Sequence, residues 1–309
     1  MSEEKLHGSD AGKRDADESL TPALMVSRRI VKVREGAVSE EEDLLIEETP
    51  ATLELNGREF LTFLCTPEHL DELAVGFLYS EGIIKTAGDV TLLRVDPKRL
   101  VVSVETRSSS IMGERLYGKR TLTSGCGRGT VFYQASDALQ TRPNTWGGQV
   151  DAGAIFALMR TWQRKDRKTE LFATTGAAHS AALWQVAPAE PIAGLIIGKR
   201  PGQEPPQPEL LVLREDIGRH NAVDKVIGRA LLEGWPMADK LLATTGRVSS
   251  EIVVKAAKGG VAFLVSRSAP TNLGVDFADK LGITLIGFVR GRKMNIYTHA
   301  GRVRYQEGI

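Results

Sequence analysis

The chain has 309 residues, of which 42% are apolar and 26% charged, the balance of an ordinary soluble globular protein long enough for about two domains. Forty basic against thirty-nine acidic residues leave a formal charge of +1, which excludes a chain-wide electrostatic footprint for nucleic acid. Two cysteines, Cys65 and Cys126, are too few for a disulfide scaffold. No apolar run approaches the roughly 18 residues of a membrane-spanning helix, and the polar stretch Met1–Ser19 lacks a signal-peptide core. The composition predicts a reduced, cytoplasmic protein with neither nucleic-acid nor membrane partners.

The acid-rich segment 1–25 is expected to be a disordered tail. Residues 26–145 predict an α+β domain. Ile30, Val31 and Val33 open as a strand, followed by the acidic stretch Glu40–Asp43. The runs around Thr52–Leu55 and Phe60–Leu64 then flank Asn56-Gly57, a strong hairpin signal. Thr66 as N-cap, Pro67 at the first helical position and apolar residues at Leu70, Leu73, Ala74, Phe77 and Leu78 predict a helix that ends at Gly82. Strands at Leu92–Val95 and Leu100–Val104 precede a polar segment that leads to Cys126.

Residues 146–309 alternate in the manner of an α/β domain. Helices are predicted at Asp151–Arg164, from Ala178 to Leu183, and at His220–Leu232, Ser249–Ala257 and Asn272–Leu281. Strands are predicted at Leu171–Thr174, Leu210–Leu213, Lys240–Thr244, Val261–Val265, Leu285–Val289 and Met294–Tyr297, with a proline-rich surface loop at Lys199–Pro208. An Ala-Thr-Thr-Gly echo at residues 173–176 and 243–246 reads as two strand-to-helix turns, either related units or ordinary reuse of glycine turns.

Polar residues gather at the predicted helix starts: Arg219 and His220 at one, Arg247, Ser249 and Ser250 at a second, Arg267 and Ser268 before a third. Free N–H groups and a positive dipole end favour anions there. Ordinary capping accounts for Ser249 and Thr271 taken singly, but three such turns, each with an arginine, point to a phosphate-bearing ligand. His179 stands at a further glycine turn and could bind an anion, move a proton or simply cap. The segment from Gly287 to Arg304 carries Arg290, Arg292, Lys293, Arg302 and Arg304 with no acid, which favours a nucleotide or pyrophosphate partner. Cys126 lies in Ser124-Gly125-Cys126-Gly127-Arg128-Gly129, where Gly125 and Gly127 strip away side-chain cover and Arg128 favours thiolate. A thiolate is both a nucleophile and an acceptor of sulfur. Cys65, at the end of an apolar strand, reads as packed core. The scattered histidines lack metal-ligand spacing, so no structural metal is expected.

Several segments together resemble the FdhD family of formate dehydrogenase accessory sulfurtransferases. They are Gly76-Phe77-Leu78-Tyr79-Ser80-Glu81-Gly82, Thr175-Gly176-Ala177-Ala178-His179, Asp216-Ile217-Gly218-Arg219-His220-Asn221-Ala222-Val223-Asp224-Lys225, Gly246-Arg247-Val248-Ser249-Ser250-Glu251, Ser266-Arg267-Ser268-Ala269-Pro270-Thr271, and Gly287-Phe288 with Asn295-Ile296-Tyr297-Thr298. The resemblance runs from about Val26 to Arg302. It implies a homodimeric sulfur carrier that takes persulfide sulfur from a cysteine desulfurase on Cys126. The sulfur then passes to the molybdenum (or tungsten) bis-molybdopterin guanine dinucleotide cofactor before insertion into formate dehydrogenase. By the same resemblance Phe288, Val289, Arg290, Gly291, Arg292 and Lys293 contact that cofactor, and the second half has a cytidine deaminase-like fold without zinc. Many relatives have Cys-x-x-Cys in the loop, whereas this chain has Gly129 at the second position. A non-covalent chaperone that binds and presents the cofactor is the alternative; a nucleotide deaminase is discounted by the missing zinc-ligand motifs.

Overall fold

The structure, a computed structural model, describes residues 23–107, 121–122, 141–166, 170–186 and 208–305. It begins with an antiparallel ribbon of β1 (Met25–Arg34) and β2 (Ala37–Ile46), which turns at Glu35-Gly36. The acidic stretch Glu40–Asp43 is therefore strand. It stands opposite Arg28–Val31, where Arg29 pairs with Glu40, and Lys32 lies 2.9 Å from Glu41.

A five-stranded sheet follows, built from β3 (Thr49–Leu55), β4 (Arg58–Cys65), β5 (Val90–Asp96), β6 (Val101–Thr106) and β7 (Thr121–Leu122) in the order β5-β6-β3-β4-β7. Asn56 and Gly57 between β3 and β4 both have positive φ, 51° and 76°, as the tight hairpin turn requires. Helix α1 (Leu70–Ser80) covers this sheet. Its Leu70, Leu73, Ala74, Phe77 and Leu78 close a core with Leu53, Phe60, Phe63, Val102 and Val104, and the Phe63 and Phe77 rings meet edge to face at 5.2 Å.

The helix does not start where the sequence predicts. His69, with φ 53°, holds the N-cap position, and Thr66 faces elsewhere. The hydroxyl and amide of Thr66 donate to the buried Asp216 carboxylate at 3.0 and 3.2 Å, and charge-assisted bonds of this kind outcompete a neutral cap. The end is as expected: Gly82, at φ 76°, donates its amide to Tyr79 O at 2.9 Å.

The rest of the chain runs β8 (Val150–Asp151), α2 (Ala152–Asp166), α3 (Glu170–Thr175), β9 (His179–Gln185), β10 (Glu209–Asp216), α4 (Arg219–Leu232), β11 (Lys240–Thr244), α5 (Ser250–Lys258), β12 (Phe263–Ser266), α6 (Asn272–Lys280), β13 (Thr284–Arg290), β14 (Lys293–Ile296) and β15 (Val303–Arg304). Six of these strands form one mixed sheet in the order β10-β9-β11-β12-β13-β14, in which β11, β12 and β13 are parallel. Strand β9 runs antiparallel to both its neighbours, as β14 does to β13. Alternate residues bury on opposite faces. Leu183, Leu242, Leu264 and Leu285 meet residues of α4, α5 and α6, while Trp184, Leu241, Phe263, Val265 and Ile286 meet Ile155, Leu158 and Trp162 of α2. Among the described residues no helix is long and apolar enough to cross a membrane.

Two elements reverse their predicted type. Leu171–Thr174 is helix, within α3, and the stretch Ala178–Leu183 expected to open a helix is largely β9. Strand β9 is a central strand with Ala181, Ala182, Leu183 and Trp184 buried on both faces. Such a strand reads as a continuous apolar run, which periodicity cannot separate from a buried helix. The Ala-Thr-Thr-Gly echo is consequently not structural: residues 173–176 close a helix, whereas residues 243–246 close a strand.

The two sheets are joined through α1 and α4, which cross with backbones in contact. A Cβ on Gly76 would overlap the Asp224 carbonyl, and one on Gly228 would overlap that of Glu72. Around this crossing the charges are paired and dry. Lys225 Nζ lies 2.7 Å from Asp216 Oδ2 with both side chains fully buried. Lys255 reaches both Asp224 oxygens at 2.8 Å, and Arg214 grips Glu72 through two bonds of 2.5 and 2.6 Å.

Candidate functional site

The parallel strands β11, β12 and β13, together with β10, end at one edge of the six-stranded sheet, where β9 begins. In sheets of this kind ligands bind outside the carboxyl ends of the strands. The turns leaving β10, β11 and β12 lead directly into α4, α5 and α6, so three helix N-termini face this edge. Sequence positions spread over more than a hundred residues are thereby gathered along one rim.

Individual contacts fix the rim. Asp216 accepts from the Gly218 amide at 2.8 Å and from Asn221 Nδ2 at 2.9 Å, which folds the turn that starts α4. Arg219 runs across the Gly246 backbone, where a Cβ would lie 2.9 Å from the Arg219 Cβ; glycine is required for that approach. His220 Nε2 lies 3.0 Å from Glu251 Oε2 on α5. The Ser180 amide donates to Thr245 Oγ1 at 3.0 Å, and the Thr245 amide donates to Ser180 O at 3.0 Å, so the start of β9 is stitched to the turn after β11. Ser266 Oγ donates to Gly246 O at 2.8 Å and accepts from the Ser268 amide at 2.9 Å, which ties the second turn to the third. The fourth connection is the Phe288 amide, which donates to Ser268 O at 3.2 Å.

His179, the first residue of β9, senses this assembly. Burial, then the neighbouring Arg219, His220 and Arg247, hold its imidazole below the ordinary histidine value. His179 is therefore held toward its neutral form. The two predicted caps behave differently. Thr271 Oγ1 accepts from the Gly274 amide at 3.1 Å, whereas Ser249 makes no capping bond at α5 and its buried hydroxyl oxygen has no hydrogen-bond partner among the described residues. A buried hydroxyl at a helix N-terminus is suited to a ligand oxygen. Ser250 is the first residue of α5, and Arg267 and Ser268 stand half-buried in the turn after β12.

The cofactor-contacting segment expected from the sequence forms the end of β13 and its turn into β14. Arg290 and Lys293 face each other across Gly291 (φ 58°) and Arg292, and all three basic side chains are exposed. Val289 is different: its side chain is fully buried in the core shared with Trp184 and Ile286, so only its backbone can face a ligand. Phe288 is 40% exposed at φ 53°. A bulky side chain in this region is strained by about 1–3 kcal/mol, a cost typically found at ligand sites. Cys126, with Gly125, Gly127 and the rest of its loop, lies outside the described residues, as do the tail 1–22 and most of the proline-rich loop. Cys65 is packed core as expected. Burial pushes its thiol up to about 12, which leaves it inert as a nucleophile.

Sequence reasoning missed the roles of Thr66 and Lys225, which hold the rim from the α1–α4 crossing, and of Thr245, which ties the turn after β11 to β9. Only Lys225 left a signal, as a charge in a helix whose neighbours Val223, Val226 and Ile227 are apolar.

Comparison with known proteins agrees with this architecture. The FdhD/NarQ family model matches residues 46–192 and 205–304. The sulfur carrier protein FdhD of Geobacillus kaustophilus is 42% identical over 276 residues, 89% of this chain and 96% of that protein. Its namesake in Bacillus subtilis is 38% identical over 277 residues, 90% and 97% of the two chains. The crystal structure of a protein described as a formate dehydrogenase accessory protein from Desulfotalea psychrophila superposes with a TM-score of 0.68 at 26% identity, covering 91% of this chain and all of that one. The chain, with its family segments folded onto one sheet edge, belongs to the FdhD/NarQ family.

Proposed function

We propose that the protein is a cytoplasmic, homodimeric sulfur carrier, a sulfurtransferase in formate dehydrogenase maturation. The Cys126 thiolate attacks the outer sulfur of a cysteine desulfurase persulfide. The S–S bond breaks, the desulfurase cysteine leaves as thiolate, and Cys126 holds the persulfide with no net change of oxidation state. Its substrate is the molybdenum bis-molybdopterin guanine dinucleotide, held at the rim before delivery to the dehydrogenase.

The observation that carries this reading is the convergence of three helix N-termini with Arg219, Arg247, Arg267, Arg290, Arg292 and Lys293 at one strand edge. Such an edge suits a ligand bearing two pyrophosphates. Phe288 supplies an exposed ring for a purine or pterin face, and Ser249 supplies a free hydroxyl for a phosphate oxygen. The relatives' name, sulfur carrier protein, supports the covalent role of Cys126. The same reading treats the second half as a deaminase-like scaffold whose strand edge holds the dinucleotide.

Incubation with an active cysteine desulfurase, cysteine and pyridoxal phosphate, followed by peptide mass spectrometry, tests the covalent step. A gain of about 32 Da on Cys126, absent from Cys126→Ala, is expected. No gain with an active desulfurase, together with unchanged formate dehydrogenase activation by Cys126→Ser, would leave a non-covalent cofactor chaperone in its place. Gly129, in place of a second loop cysteine, is the sequence feature that favours this alternative.

A further inference from the structure

The strand edge is rich in groups that suit an anion, but one side chain on it is set to do the reverse. Asn221 stands in the first turn of α4 with both amide hydrogens committed: Nδ2 donates to Leu64 O near the end of β4 and to Asp216 Oδ1, each at 2.9 Å. Both partners, a carbonyl oxygen and a carboxylate, only accept. The amide can therefore take just one orientation, and its oxygen faces away from both of them. Gly218 makes room for this pose, since a Cβ there would lie 3.0 Å from Nδ2 and 3.2 Å from the amide carbon. Asn221 is half-buried, and among the described residues its Oδ1 accepts no bond and is not shut off from solvent. A fixed, open acceptor thus stands next to Arg219 and His220, at the seam between β4 and the rim.

We propose that Asn221 is a specificity-determining residue of the rim, whose Oδ1 accepts a hydrogen bond from an amino group on the ligand's ring. Ionised phosphate oxygens only accept, so a bare polyphosphate would set like against like at this point. A ligand that fits brings a donor beside its phosphates. A ribose hydroxyl has no need of a fixed acceptor, because it can turn and accept from an arginine; an amino group on a conjugated ring can only donate. The neutral amide also suits its surroundings. A carboxylate in its place would accept equally well but would repel both the buried Asp216 and the phosphates that the neighbouring arginines attract. Guanine and pterin rings both carry an amino group beside a ring N–H, whereas hypoxanthine, the guanine ring without its 2-amino group, offers the N–H alone. This assignment rests on the reading of the rim as a nucleotide site and adds the residue that selects the ring.

Calorimetric titration of the full chain with guanosine diphosphate and with inosine diphosphate, which differ only in the 2-amino group, tests it. The parent is expected to bind guanosine diphosphate about 3- to 10-fold more tightly, and Asn221→Leu to bind the two alike. Equal binding by the parent overturns the assignment and leaves the rim standing as a nucleotide site. Binding of neither nucleotide, nor of inorganic pyrophosphate, overturns the rim reading together with the assignment. Asn221 also braces Leu64 and Asp216, and loss of that brace alone would weaken both nucleotides by the same factor. A variant that keeps the parent's preference therefore overturns the assignment as well, whatever its absolute affinity. Asn221→Ser, which removes the amide oxygen but keeps a donor, supplies the same ratio if the leucine variant does not fold.

Discussion

Two regions of this molecule are rich in charge and use it in opposite ways. At the α1–α4 crossing Glu72, Asp216, Asp224, Lys225 and Lys255 are buried and matched sign for sign, with the half-buried Arg214 gripping Glu72. At the strand edge cations outnumber Asp216 and Glu251, and Arg290, Arg292 and Lys293 stand in solvent. The first arrangement spends electrostatics on fixing two sheets in one geometry; the second leaves an excess for something that binds. Asp216 belongs to both. Its carboxylate takes Lys225 and Thr66 from the crossing and Gly218 and Asn221 from the rim.

The largest way to break the contrast is Lys225→Met, which leaves the Asp216 carboxylate buried without its counter-ion. A loss of about 3–5 kcal/mol in unfolding free energy is expected from chemical denaturation. Next comes Gly228→Ala, which forces α1 and α4 apart and costs about 1–3 kcal/mol by the same measurement. The rim answers differently. R290A/R292A is expected to leave stability unchanged within about 0.5 kcal/mol, while affinity for guanosine diphosphate, followed by calorimetry, falls about 10- to 100-fold.

Phe288→Gly sharpens the comparison further. It relieves the positive φ while removing the ring, so stability should hold within about 1 kcal/mol while nucleotide affinity drops about tenfold. The smallest effect is a slope. His179 is neutral in the free protein because burial and neighbouring cations depress it; a bound phosphate raises it, so binding takes up a proton. Affinity therefore increases as pH falls towards and below the ordinary histidine value of about 6.5. His179→Asn should flatten that slope in titrations repeated across the range.

What the sequence made legible follows the reach of its signals. Asn56-Gly57 named its hairpin and Gly82 its helix end, because both are short-range backbone requirements. The turns proposed to bind an anion have serine and arginine at helix starts in the sequence itself, and the strand edge gathers Arg219, Arg247, Arg267 and Arg290 along one rim. Strand β9 was misread because a strand buried on both faces has no alternation to display. Thr66 reads locally as a cap, and only tertiary structure supplies the better partner, Asp216, 150 positions away. Phe288 enters the sequence reading only as part of the segment that the family resemblance implies contacts the cofactor; nothing in the letters announces its positive φ.

That distance between Thr66 and Asp216 also sets an order of events during synthesis. The five-stranded sheet and α1 are complete long before Asp216, Lys225 and Gly228 exist. At typical elongation rates the exposed Gly76 face and Glu72 wait about 10–30 s for their counterparts. For that interval the nascent first half lacks the partner that covers its docking face. The sulfur-carrying machinery is finished only when a segment half the chain away has left the exit tunnel.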